Sequence, residues 1–248
     1  MISDMAMAGR YSVLIAVMLA LLLSCSFPEE QSKGKEKTYS PVVILKPKPQ
    51  GLTSEQRSLL GFPTEIVTRV EAVGGALAEP FYETVLTPSE NLRGTPGIEK
   101  NRLAGFSVRT TRAEKVIDGL SRSLRSQGYL IFRSEQNFGS VPDVVTVVRG
   151  NNSYDIVKLQ RTEAQNYHLT TDKIIAWLKA RQKQSSFVIT GAGADWLEAR
   201  FVKPPKNMRA FAQKVAAFAP DVVSRSGGTV EKIVVQMKKL NGFYLWWE

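Results

Sequence analysis

The sequence has almost none of the residues from which common active sites are built. It contains one cysteine, Cys25, and one histidine, His168, among 248 residues. A zinc site typically draws three or four ligands from His, Cys and carboxylates, so no metal is expected, and no cofactor either. One thiol also excludes an internal disulfide framework. There is no Gly-x-Ser-x-Gly elbow, the signature of many serine hydrolases. "GAGADW", residues 191–196, is rich in glycine, but strand-like runs bound it, whereas a dinucleotide fingerprint opens a helix. No apolar run reaches the ~20 residues that cross a bilayer. Internal repeats and low-complexity runs are missing too.

What is present begins at the N-terminus. Arg10 precedes an apolar stretch, Tyr11 to Leu23, that ends in small residues. A basic start followed by an apolar segment of this length is the secretory pattern; a buried core helix is the bland alternative. Leu22-Leu23-Ser24-Cys25 resembles the lipobox of bacterial lipoproteins. That resemblance implies a diacylglycerol thioether on Cys25, cleavage before it, and removal of residues 1–24 as a signal peptide. Leu23 departs slightly from the pattern, since smaller residues are commoner there. The competing reading is a chance cysteine in an ordinary signal peptide. Two or three acyl chains anchor stably, so the membrane is an expected partner. By the sorting pattern of Gram-negative lipoproteins, Ser26 implies the outer membrane, facing the periplasm.

Residues 25–50 are charged and Pro-rich, with few apolar side chains before Val42. Such a stretch buries too little surface to offset its ordering entropy and reads as a flexible tether. "VVIL", residues 42–45, is its one strand-like run. The formal net charge is +10. In a cytosolic chain that would suggest nucleic acid; behind a lipobox it does not, and no nucleic acid is expected. The anions within reach are lipid head groups, lipopolysaccharide, peptidoglycan carboxylates and acidic proteins. The basic residues are scattered, so a solvated surface is the default.

Residues 51–248 suffice for one sizeable domain or two small ones. Apolar periodicity predicts helices over 63–75, with Ile66, Val67, Val70 and Val73 on one face, and over 112–128. Strands are predicted at 129–133, 144–148 and 154–160, with Asn151-Asn152 turning a hairpin. A helix follows with Thr171 as N-cap, then strands "SFVIT" and "DWLEARFV" around Gly191-Ala192-Gly193. "NMRAFAQKVAAFAP" and "TVEKIVVQMKKL" are amphipathic helices, and "FYLWWE" is a closing strand. The fold class is α+β: an antiparallel or mixed sheet covered by amphipathic helices, a single globular body behind the tether. It divides into an N-terminal part, 51–140, and a C-terminal domain, 141–248.

"NYHLTTDKIIAWL", "GAGADWLEARF", "KPP", "AFAPDVV" and "FYLWWE" occur in that order. The set resembles the bacterial family called domain of unknown function 4253, over roughly residues 140–248, with weaker similarity upstream through "LLGFPTEIV". Ala219 stands where many relatives carry Cys, and Glu248 where many carry Asp. The resemblance implies a fold and a shared surface, and no activity.

Candidate ligand-binding residues are His168, Asp195, Trp196, Glu198, Arg200, Trp246 and Glu248. His168, next to a helix start, has a capping or surface role as its bland reading and a general base as its sharp one. Strand alternation puts Trp196, Glu198 and Arg200 on one face and Leu197, Ala199 and Phe201 on the other. If this strand pairs with 243–247, carboxylates of the Asp195, Glu198 and Glu248 set could converge as an acid/base pair, with Glu248 near the Arg200 side. A polar outward face is the bland explanation. Phe243, Leu245 and Trp247 share one face, Tyr244, Trp246 and Glu248 the other. With no catalytic residue assigned, the expected function is a lipid-anchored envelope protein that binds another envelope protein, for instance a toxin it neutralises. The alternative is an envelope hydrolase working through the carboxylates.

Overall fold

The computed structural model describes residues 51–87 and 98–248. The leader, Cys25, the tether and "VVIL" lie outside the described residues. Eight helices occur among these: α1 (Ser54–Leu60), α2 (Thr64–Gly74), α3 (Ala113–Arg125), α4 (Tyr154–Leu159), α5 (Thr171–Gln182), α6 (Met208–Phe218), α7 (Asp221–Arg225) and α8 (Val230–Leu240). The strands are β1 (Glu79–Thr87), β2 (Ile98–Thr110), β3 (Tyr129–Glu135), β4 (Asp143–Arg149), β5 (Ser186–Ala192), β6 (Trp196–Lys203) and β7 (Gly242–Trp246). They form one mixed sheet in the order β1-β2-β4-β3-β5-β6-β7. Neighbours are antiparallel except β3 and β5, which run parallel. The fold is α+β, as expected.

Side chains alternate across the pleat, and the sheet is used on both faces. Tyr129, Ile131, Val145 and Val147 point into a core built with α1, α2 and α3. Leu130, Phe132 and Val148 point the other way, into a second core with α4, α5, α6 and α8. Burial on both faces explains why β3 and β4 read as unbroken apolar runs. The β3–β4 hairpin crosses the boundary drawn at residue 140, so the sheet is continuous between the two parts.

Caps fix the helix starts. Thr53 and Gln56 form a capping box on α1, and Thr229 accepts a bond from Lys232 N–H at the start of α8. The cap of α5 is Thr170, one residue before the expected Thr171. Two strands, β1 and β2, went unpredicted. The expected strand 154–160 is helix α4. Its Tyr154 and Ile156 mimic strand alternation, but Asn152 Oδ1 accepts the Tyr154 N–H at 3.1 Å and turns the chain into a helix, with no hairpin.

The closing segment is an integral strand. β7 pairs antiparallel with β6, Leu197 opposite Leu245 and Ala199 opposite Phe243. Phe243 and Leu245 are fully buried and Trp247 is 2% exposed. The Trp247 indole N–H donates to the Phe218 carbonyl at 3.1 Å, satisfying its polar tip.

Candidate functional site

Helices α1–α3 pack against β2, β3 and β4 and reach β6 through the ion pair Glu114–Arg200. Beyond them, the same side of the sheet presents Trp196, Glu198, Arg200, Tyr244 and Trp246. The expected alternation of β6 holds: Leu197, Ala199 and Phe201 are in the core, and Trp196, Glu198 and Arg200 face away from it.

Glu198 is buried and fully engaged. Its carboxylate accepts from Arg133 Nη1 at 2.8 Å, Thr190 Oγ1 at 2.9 Å and Arg200 Nε at 3.3 Å. Arg133 Nε lies 3.2 Å from Asp143 Oδ2, an ion pair without hydrogen-bond geometry. Asp143 also accepts the Asn137 N–H at 2.7 Å, which ties the β3–β4 loop to the network. Arg200 donates onward to the Leu240 carbonyl and to Glu114. This buried carboxylate is held by two guanidinium groups and a hydroxyl, so its partners come from within the fold. Three of its roughly four acceptor positions are taken, and Glu198 is 3% exposed. Burial pushes the nearby Asp118 carboxyl up, opposed first by Arg200.

Trp196 is a seat-filling residue. Its ring stacks on Tyr244 with centroids 5.9 Å apart. A Cβ on Gly193 would lie 2.2 Å from the Trp196 Nε1, and one on Gly191 would lie 2.9 Å from the same ring. The glycines of "GAGADW" therefore make room for an indole; phosphate contact plays no part in that geometry. Burial raises the Tyr244 hydroxyl above its usual range, with Arg225 the main opposing charge.

At the end of this face Arg225 of α7 is sandwiched between two rings. Its guanidinium carbon is 4.3 Å from the Phe138 centroid and 4.6 Å from that of Trp246. Phe138, at the tip of the β3–β4 loop, is 64% exposed and sits at φ 50°.

The other candidates lie elsewhere. The antiparallel register pairs Arg200 with Gly242 and Trp196 with Trp246. Glu248 is thus at the far end from Arg200, which corrects the expected neighbourhood: strand direction carries residue 248 past the start of β6. Asp195 and Glu248 instead line a hollow of about 650 Å³ with Glu163, Gln165 and Asn166. Glu198 is not part of that hollow; of the three expected carboxylates, Asp195 and Glu248 are the two that share it. His168 is exposed, ends a 3₁₀ turn at φ 54°, and accepts the Lys173 ammonium on its carbonyl. Its backbone role agrees with the capping and surface reading. Sequence reasoning missed Arg133, Thr190, Asp143, Phe138 and Arg225. Among the described residues no group of three or more His, Cys, Asp or Glu is placed to hold a metal ion. Nor is any described helix long and apolar enough to cross a membrane.

Residues 144–248 match the family model described as Domain of unknown function (DUF4253). The match starts at β4, a few residues after the expected boundary, and leaves "LLGFPTEIV" outside. It also leaves out β3, although β3 lies between β4 and β5 in the sheet and supplies Arg133 to Glu198. The matched segment completes its sheet and its buried ion network with a strand from outside it. No curated protein and no solved structure matches the chain.

Proposed function

We propose that this is a lipid-anchored envelope protein that binds another protein, without catalysis, through the aromatic end of the β6–β7 face. The observation that carries the reading is the combination on that face. Tyr244, Trp246 and the exposed Phe138 sit together, while the adjacent carboxylate Glu198 is consumed by Arg133, Arg200 and Thr190. Trp, Tyr and Arg dominate interface hot spots, whereas a catalytic carboxylate must reach a substrate proton. The anchor is Cys25, in the lipobox-like Leu22-Leu23-Ser24-Cys25, with the body facing the periplasm from the outer membrane.

Two experiments test this. Full-length chain is used to capture partners from envelope extract, alongside a Tyr244→Ala/Trp246→Ala variant with an unchanged circular dichroism spectrum. A protein retained in stoichiometric amount by the wild type and lost by the variant is expected; retention by both, or by neither, contradicts the reading. For the anchor, Cys25→Ser should abolish labelling by radioactive palmitate and release the protein from washed membranes. An unlabelled wild type would reject the lipoprotein.

A second reading, an envelope hydrolase, draws on the hollow that Asp195, Glu248 and Glu163 share. Its signature is hydrolysis of an envelope polymer that Asp195→Asn lowers by about 100-fold or more.

A further inference from the structure

Where the chain leaves β7, its outer side is met by helix α7. The Trp247 N–H donates toward β6, to the Asp195 carbonyl at 3.0 Å. Successive residues of a strand point their N–H groups to opposite sides, so the Glu248 N–H points away from β6. There it meets Asp221 Oδ2 at 2.9 Å. Helix α7 therefore lies beside the end of β7, on the side away from β6. It also straddles that side: Val222 is buried in the core with Phe243, while Arg225 reaches the Trp246 ring on the opposite face.

The fastenings are few and mostly exposed. The Tyr167 hydroxyl donates to the Asp221 carboxylate at 2.8 Å. Arg225 is clasped by Phe138 and Trp246, and Ser226 Oγ and Gln236 Oε1 are 2.9 Å apart. Apart from Val222 and Ser226, no residue of Asp221–Arg225 or its C-cap is buried. Both ends carry hinge chemistry: Pro220 before α7, and Gly227 and Gly228 after it at φ 92° and 91°. Between α8 and β7 lies a groove of about 310 Å³ lined by Val222, Ile233, Met237, Leu240 and Phe243.

We propose that residues 220–228 are a strap that swings off β7, and that an extended segment of the partner protein then pairs with the bared strand edge. The strap's own contacts define the segment's chemistry. An aliphatic side chain takes the place of Val222 on the core side, and an Arg or Lys takes the place of Arg225 between Phe138 and Trp246. These two places lie on opposite faces of the sheet. A helix meets both with residues three apart; a strand meets both with adjacent residues, so the partner motif is an aliphatic residue next to a basic one. Main-chain pairing with the N–H and C=O groups of Tyr244 supplies affinity, as in strand addition generally. The site is the one under "Proposed function", and the partner's role rests on that reading; the opening of the strap does not.

Native-state hydrogen exchange tests the strap without a partner. The amides of Val222, Val223, Ser226, Gly228 and Glu248 should exchange through a local opening, faster than the Phe243 and Trp247 amides of the β6–β7 ladder. Arg225→Ala should speed strap exchange by roughly 5- to 30-fold, the loss of two cation–π contacts, and leave the ladder unchanged. Tyr167→Phe, a milder variant that keeps Arg225, should speed it about 3- to 10-fold. Strap and ladder exchanging together, or both shifting alike in the variants, overturns the strap. The docking half is read with a fluorescein-labelled peptide, Thr-Val-Arg-Val-Arg-Val-Thr, capped at both ends. Its anisotropy should report at least fivefold tighter binding to Arg225→Ala than to wild type, because the closed strap taxes the competent state. Equal affinity, or no binding to either, overturns docking even if the strap opens.

Discussion

Among the described residues the sheet ends in two edge strands, protected by different means. β1 at one end is nine residues long and carries its protection in its own sequence: Pro80, and Glu79 and Glu83 paired with Arg109 and Arg102. Proline and charge on an edge discourage pairing with other chains. β7 at the other end is five residues, GFYLW, with no charge at all. Its protection is borrowed from α7, fastened by Asp221, Val222 and Arg225. An edge guarded by its own residues stays guarded. An edge guarded by a separate segment can be unguarded, and that is where a recognition function can reside.

The comparison can be broken most severely at β7. Deleting residues 243–248 removes Phe243, Leu245 and Trp247 from the core; at roughly 1.5–3 kcal/mol each the loss rivals a domain's whole stability. The truncated chain should show no cooperative thermal transition by circular dichroism. A transition within a few degrees of wild type would mean β7 is dispensable. Next, the two ends carry acid–base pairs of opposite character. Glu198→Ala removes the acceptor that Arg133 and Arg200 share, leaving them Asp143 and Glu114, and should cost about 2–4 kcal/mol. Glu83→Ala, which breaks a pair with the exposed Arg102, should cost under about 1 kcal/mol. Urea denaturation of both variants checks the ratio, and equal losses would deny the network its structural role. Gly193→Ala pushes the Trp196 indole off its seat and should cost about 1–3 kcal/mol, with a shift in tryptophan emission; unchanged emission would show the seat is not needed.

The smallest effect is on pH dependence. Burial raises the Tyr244 hydroxyl above its ordinary value of 10.0. The folded state thus holds its proton more tightly than the unfolded one. This contribution is intact below pH 10 and is lost as pH rises from there toward the folded value. Tyr244→Phe should flatten the alkaline fall in stability, measured by urea midpoints above pH 10; an unaltered fall would assign it to other groups, Tyr154 among them.

Much of the β7 end was legible in the sequence. The period-two pattern of "DWLEARFV" and "FYLWWE" gave both strands, their pairing and their inward faces, because large apolar side chains have one low-energy side to occupy. Glu248 was misplaced because alternation specifies a face and says nothing of position along the partner strand. The β1 end was illegible for the opposite reason. "IEKNRLAGFSVRT" follows an edge, where alternate positions stay wet and charged, so the apolar signal thins. Helix α7 spans five residues, less than two turns, too short to show a period. Arg133 is 65 residues from Glu198 in the chain, and no local pattern links a guanidinium on one strand to a carboxylate on another.

The central claim is that the β7 edge receives the partner and the β1 edge does not. A photo-crosslinking residue, p-benzoylphenylalanine, placed in the full-length chain at Trp246 or at Tyr82 tests it in intact cells. Tyr82 on β1 is 48% exposed, so a partner at that edge would be within reach of the probe. Irradiation should give a discrete adduct from position 246, strengthened by Arg225→Ala, and none from position 82. An adduct from position 82 alone, or from both positions equally, would contradict the account.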